Sequence, residues 1–294
     1  MSKLIVVGAD GSAQALCAVD WAAAEAGRRH LPLRIVHIAV RWEYNVATHE
    51  PGLEAPRPEA AGLEVLRIAE DRARTFASVD VGCRLGIGPI PATLLQEAAD
   101  AALLVLGSHS TGGFTRSLLG SVSRQMAEHA ACPVVIVPGT GTGSGPSGIV
   151  VGVDGSEASV DAVGFAFEEA SLRSVGLRAV HAWAHPAYPR EMRPVRYDMT
   201  AVEREGARLL SESLAGWKAK YPDVSVAEDV IEGVPTSVLV DASGAAELLV
   251  VGARGRGGFP GLRLGSVSHA VLHHAKGPVA VVRGLHPGRA GAGR

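Results

Sequence analysis

Residues 104–123 read LVLGSHSTGGFTRSLLGSVS and residues 249–268 read LVVGARGRGGFPGLRLGSVS. Laid side by side, 11 of the 20 positions match, against about one expected from average residue usage. The chain therefore carries an internal duplication, and three further pairs give its extent. IVVGADGS (5–12) lines up with VVGVDGS (150–156), LRIVH (33–37) with LRAVH (177–181), and CPVVIV (132–137) with GPVAVV (277–282). The offset is 144 in the early pairs and 145 in the late ones, so one small insertion separates the registers.

A repeat near 145 residues is too long for a solenoid unit and matches the commonest size of an independent domain. We expect a first domain over 1–140, a linker over 141–147, a second domain over 148–284 and a flexible tail over 285–294. The linker region PGTGTGSGPSG (138–148) has no apolar periodicity.

Each half alternates short Val/Ile runs with longer Ala/Leu stretches of helical period, the pattern of βαβ units around a parallel sheet. In the first half the reading is strand 4–8, helix 13–29, strand 33–40, helix 60–77, strand 80–86, helix 91–98, strand 102–106, helix 121–130 and strand 134–137. In the second half, strands are expected near 149–153, 177–183, 225–231, 248–251 and 279–282. The fold class is α/β: two tandem Rossmann-like domains, each with a five-stranded parallel sheet flanked by helices. Such sheets bind ligands in a crevice at their carboxyl edge, where the winding reverses. The Pro-rich connections 42–60 and 183–200 look like lids or interface loops over that crevice.

Composition narrows the function classes. A net charge of −2 with both signs interspersed argues against a nucleic-acid footprint or a polybasic membrane patch. No apolar run approaches the roughly 18 residues of a membrane span, and no signal-peptide pattern precedes the first strand, so a cytoplasmic location is expected. Cys17, Cys83 and Cys132 are odd in number and widely spaced, which fits neither a disulfide framework nor a zinc site, and they are expected to be buried. His273 and His274 fall near a helix end without a metal-binding spacing and read as structural or surface residues.

The chemistry concentrates in two places. After the fourth strand of the second half, Gly252, Gly255, Gly265 and Ser266 follow the spacing G-x-x-G-x9-G-S. Glycines there allow positive φ and close backbone approach, and Ser266, Val267 and Ser268 begin a helix with unpaired amides and hydroxyls, as a phosphate cradle requires. The alternative is that the glycines turn a corner and the serines cap the helix. The second place is an acidic turn after each first strand, GADGS (8–12) and GVDGS (152–156). Asp10 and Asp154 have the chemistry to accept a ribose hydroxyl or to hold Mg2+ facing phosphates, or else to cap the following helix.

An Asp after strand one, Val-His in strand two and the G-x-x-G-x9-G-S loop together resemble the universal stress protein family, in its ATP-binding branch. The resemblance covers nearly the whole chain, twice. It implies a strand order of 3-2-1-4-5, of the adenine nucleotide alpha hydrolase-like type. It also implies adenine held by backbone near Ala9 and Ile38, or near Val153 and Ala182, with ribose near Asp10 or Asp154. Phosphates would lie on Gly107, Gly120, Ser121, Val122 and Ser123 in the first domain, and on the loop from Gly252 to Ser268 in the second. The first domain departs from the signature, with Ser110 where the second glycine stands. His109 and Thr111 also replace Arg254 and Arg256, so the second site is expected to bind more tightly.

A Walker P-loop is excluded, because no GxxxxGK[ST] occurs, and no GxGxxG follows the first strand. With no lysine in the cradle and no evident base, binding is favoured over fast phosphoryl transfer. The expected function is an ATP-binding regulatory module that responds to stress, with ATP and Mg2+ as ligands. A slow ATPase or autophosphorylating enzyme and a nucleotide-free scaffold stay open as alternatives. The apolar fifth strands, 134–137 and 279–282, sit at expected sheet edges, which invite pairing. Pairing of the two halves through these strands and a homodimer of whole chains are therefore expected.

Overall fold

The computed structural model describes residues 3–40, 58–76, 78–108, 119–139, 148–184, 199–257 and 261–284. The chain divides into two compact units, Met1–Gly141 and Thr142–Arg294.

Unit one runs β1 (Ile5–Gly8), α1 (Ala13–Arg29), β2 (Leu33–Ala39), α2 (Pro58–Phe76), β3 (Val81–Ile87), α3 (Ile90–Glu97), β4 (Leu103–Gly107), α4 (Ser121–His129) and β5 (Val134–Val137). Unit two repeats the sequence as β6 (Ile149–Gly152), α5 (Glu157–Arg173), β7 (Leu177–Trp183), α6 (Met199–Lys220), β8 (Val226–Glu232), α7 (Pro235–Ser243), β9 (Leu248–Gly252), α8 (Ser266–His274) and β10 (Val279–Val282). Every strand pair within a unit is parallel, in the order β3-β2-β1-β4-β5 and, correspondingly, β8-β7-β6-β9-β10. Each is the expected 3-2-1-4-5 sheet. The winding reverses between the first and fourth strands, and the loops at their carboxyl ends bound the crevice.

The first strand, IVVG in both units, is buried because helices cover both faces of a parallel sheet. The helix after it buries an alanine-rich stripe, Ala15, Ala18, Ala22 and Ala26 in α1, at helical spacing. Small side chains let the helix lie close to the strands, and the glycine ending the fourth strand completes the approach. A Cβ on Gly107 would stand 2.9 Å from the Gln14 backbone, and one on Gly252 would stand 2.7 Å from that of Ala158.

Helix termini explain where these elements stop. Ser12 and Ser156 cap α1 and α5, accepting from the Ala15 and Ser159 amides at 3.1 and 3.2 Å. At the other end His30 (φ 52°) and Ser174 (φ 55°) adopt the left-handed conformation. The amides of Leu31 and Val175 then reach back to the carbonyls of Ala26 and Ala170, a Schellman closure. Near these ends lie two fully buried carboxylates. Glu25 accepts from Arg29 Nε at 2.6 Å, and Glu169 accepts from Arg173 Nη2 at 2.7 Å.

Of the three cysteines expected in the core, only Cys132 is buried; Cys17 is half-buried and Cys83 is exposed. Cys83 lies on β3, the outermost strand of its unit's order, where apolar neighbours cover it incompletely. The expected lid segments fall mostly outside the described residues.

Candidate functional site

The site in each unit starts at the carboxyl end of the first strand. The Ala9 amide donates to the Val36 carbonyl at 2.9 Å, and the Ala9 carbonyl faces His37 Nδ1 at 2.7 Å. Val153 repeats this with Val180 at 2.9 Å and His181 at 2.8 Å. A carbonyl only accepts, so Nδ1 carries the proton in both histidines. The histidine of the Val-His pair thus fixes the backbone beside the crevice. It fits because α2 and α6 carry glycine opposite it: a Cβ on Gly62 would lie 2.8 Å from His37 Cδ2, and one on Gly206 would lie 3.0 Å from His181 Cδ2.

The acidic turn comes next. Asp10 Oδ1 accepts from the Ser12 amide, and Asp154 Oδ1 accepts from the Ser156 amide, both at 2.9 Å. The intervening Gly11 and Gly155 have φ of 83° and 74°, a conformation that favours glycine. The aspartates therefore do not cap the helices, as one reading of the sequence held; the serines two positions later do, and the carboxylates stay at the crevice.

In unit two the carboxylate also reaches the glycine loop. Asp154 Oδ2 accepts from the Arg256 amide at 3.1 Å, and Ser156 Oγ donates to the Arg254 carbonyl at 3.3 Å. The signature glycines of this loop serve approach rather than unusual dihedrals, and positive φ falls instead on Gly261, at 96°. Gly265 has φ −73°, its counterpart Gly120 has φ −61°, and neither Gly252 nor Gly255 has positive φ. Against the expectation of positive φ, Gly255 leaves room: a Cβ there would overlap Asp154 Oδ2, so a larger residue would displace the carboxylate.

The far end of the loop returns to the sheet. The Gly265 amide donates to the Ala253 carbonyl at 2.7 Å, and Ser268 Oγ donates to the Gly252 carbonyl at 2.6 Å. In unit one, Gly120 to Ser108 and Ser123 to Gly107 repeat these bonds at 2.7 and 2.8 Å. Gly120 and Gly265 precede α4 and α8, no side chain among the described residues caps either helix, and their first helical bonds come from Arg124 and His269. The amides of residues 121–123 and 266–268 are thus left as helix N-terminal donors.

These parts enclose one pocket in each unit. The unit-two pocket, of about 280 Å³, is lined by Val153, Asp154 and Ala182 on one side and by Gly252, Arg254 and Gly255 on the loop. Gly265, Ser266, Val267 and Ser268 line its helical end. The unit-one pocket, of about 390 Å³, collects Ala9, Asp10 and Ile38 with Gly107, Gly120, Ser121, Val122 and Ser123. Ser110, with His109 and Thr111, lies outside the described residues. The sequence reading missed the apolar wall: Ile90 and Leu94 from α3, and Pro235 and Leu239 from α7. A proline in the first turn of each helix was the available signal, since it marks where the chain comes back over the crevice.

A scan of protein families matches the universal stress protein family model twice, over residues 1–138 and 147–283. The chain belongs to the universal stress protein family. Universal stress protein Rv2005c of Mycobacterium tuberculosis is 37% identical over 294 residues, covering 95% of this chain and 96% of that protein. Universal stress protein Rv2623 of the same organism is 39% identical over 300 residues, with coverage of 95% and 96%. The crystal structure of a universal stress protein from Archaeoglobus fulgidus shares the fold, with a TM-score of 0.69 at 17% identity over 96% of this chain and 97% of that one.

Within this family fold, the electrostatic character of the unit-two pocket comes from its arginines. Arg254 and Arg256 are exposed at its rim, and neither has a carboxylate ion-pair partner among the described residues. Among the described residues no group of three or more His, Cys, Asp or Glu side chains is placed to hold a metal. No helix among them is long and apolar enough to cross a membrane.

Proposed function

We propose that this universal stress protein is a nucleotide-binding regulatory module of the stress response, with ATP as ligand and unit two as its tighter site. The observation that carries the reading is the convergence on one pocket of three capless helix amides, residues 266–268, two arginines and the Asp154 carboxylate. Amides at a helix N-terminus and arginines favour phosphate oxygens, and a carboxylate across the crevice suits a ribose hydroxyl. The apolar wall of Val180, Pro235 and Leu239 supplies a surface for a purine ring. A single carboxylate gives Mg2+ one protein ligand, and nucleotide phosphates and waters would supply the rest, a common arrangement for that ion.

Turnover is the weaker reading. Among the described residues the unit-two lining contains no lysine or histidine, and His37 in unit one is held to the Ala9 carbonyl through Nδ1. A steady-state phosphate-release assay distinguishes the two, with release near background expected.

The primary test is calorimetric titration of Mg–ATP into the full chain and into the Arg254→Ala/Arg256→Ala double variant. Loss of the tighter event in the double variant is expected and identifies it with unit two. Absence of any binding heat, together with a denaturation midpoint unmoved by saturating ATP, sinks the reading in favour of a nucleotide-free scaffold. We also propose that whole chains form homodimers, and a monomeric mass by light scattering would refute this.

A further inference from the structure

The acidic turn of unit two is joined to the glycine loop directly. Asp154 Oδ1 takes the Ser156 amide at 2.9 Å, Oδ2 takes the Arg256 amide at 3.1 Å, and the Ser159 hydroxyl lies 3.2 Å from the Asp154 amide. Gly255, between the two loop arginines, packs so closely on Oδ2 that a Cβ would overlap it. The carboxylate is thus oriented from below by its own turn and grips the loop from the side. Unit one has alanine, Ala15, at the position of Ser159, and serine, Ser110, at that of Gly255.

We infer that Asp154 is a positioning residue for the phosphate end of the site: through the Arg256 amide it holds the Gly252–Gly257 loop, with its two arginines, in register with the α8 amides. This rests on the nucleotide reading of the pocket and assigns Asp154 a task that involves no ribose. Fixing the loop before the ligand arrives removes part of the ordering cost of binding. Each carboxylate oxygen has two acceptor directions, so the amide bonds leave capacity for a ribose hydroxyl as well.

The two tasks separate with ligands that lack ribose hydroxyls. The experiment measures binding of ATP, 2′,3′-dideoxy-ATP and inorganic tripolyphosphate to the full chain and to Asp154→Ala, Asp154→Asn, Gly255→Ala and the Asp154→Ala/Gly255→Ala double variant. Amide hydrogen exchange across residues 253–257 is recorded without ligand. In Asp154→Ala, exchange at the Arg256 amide is expected to rise by about ten- to a hundredfold, the range for losing one hydrogen bond to a charged acceptor. Asp154→Asn retains an oxygen acceptor and is expected to fall between.

Removing the carboxylate also removes a negative charge facing the phosphates, so the decisive quantity is the coupling in the cycle, where that charge effect cancels. Gly255→Ala is expected to weaken tripolyphosphate binding by about tenfold when Asp154 is present and by less than about threefold when it is absent, as contacting residues couple. Equal losses in both backgrounds, or unchanged exchange at Arg256 in Asp154→Ala, overturn the inference. If none of the three ligands binds the unaltered chain, the nucleotide reading has failed on its own, and the exchange measurement still decides whether Asp154 holds the loop.

Discussion

The hydroxyl of Ser268 donates to the carbonyl oxygen of Gly252 at 2.6 Å, tying the first turn of α8 to the last residue of β9. The glycine loop leaves and re-enters the fold at these two residues, and this bond, beside that of the Gly265 amide to the Ala253 carbonyl, closes its base. Ser268→Ala leaves the Gly252 carbonyl without this partner and is expected to cost about 1 kcal/mol, the usual net value of such a bond. The unfolding midpoint should fall and the ATP dissociation constant rise together. A variant that keeps wild-type stability and affinity would show that the bond does not set the loop.

Gly252→Ala tests the close approach of helix and strand. Its methyl group would meet the Ala158 backbone at 2.7 Å, and a backbone cannot rotate away as a side chain can. Overpacking of this kind costs roughly 1–3 kcal/mol. Gly107→Ala, at 2.9 Å from the Gln14 backbone, is expected to behave alike in unit one. Urea denaturation followed by circular dichroism reads both.

The N-cap serines are open to a simpler test. Ser12→Ala and Ser156→Ala each remove the acceptor for an α-helix N-terminal amide and are expected to destabilise by about 1 kcal/mol. Ser156→Ala additionally loses the bond to the Arg254 carbonyl, so it should weaken the tighter binding event, assigned to unit two, which Ser12→Ala should leave unchanged. Equal effects of the two variants on the tighter binding event would contradict this.

Cys83 should be a slow thiol although the residue is exposed. Its sulfur sits against α2, 3.9 Å from the Leu66 carbonyl and 3.6 Å from Glu70 Oε2. Burial of the sulfur, reinforced by the Glu70 charge, pushes its pKa up to about 11. A raised pKa means less thiolate: at pH 8 about a thousandth of Cys83 is ionised, and alkylation should accelerate about tenfold per pH unit up to pH 10. Rapid labelling that has levelled off by pH 9 would exclude the raised value. Glu70→Gln should increase the rate at pH 8.

The succession of strands and helices was legible because the duplication let each half check the other, and short Val/Ile runs between longer alanine-rich stretches point to βαβ units; the strand order itself came from the family resemblance. Part of the candidate pocket lining was legible for the same reason: glycine, Asp and Ser appear at fixed spacing at strand ends and helix starts in both copies, while Ala9, Ile38, Val153 and Ala182 came from the family resemblance. The sequence was silent where side-chain geometry decides. Gly255 reads as a residue of permissive φ, yet it is small because a carboxylate oxygen lies against it. Leu94 and Leu239 drew no reading from the sequence, since the first-turn proline of each helix marks where the chain returns but not which side chains face the pocket. For Asp10 and Asp154 helix capping stayed open as an alternative because Asp and Ser compete for that task within two positions, and hydrogen-bond geometry gives it to Ser.

His30 and Ser174 share one further lesson. Their side chains have nothing in common, yet both backbones are held left-handed, a conformation that costs an L-residue roughly 1 kcal/mol relative to glycine. The geometry must therefore be imposed by the path of the chain into the next strand. The two positions are thus a pair of unspent adjustments, far from the crevice in sequence, where glycine would relax the corner of each unit without altering what its pocket recognises.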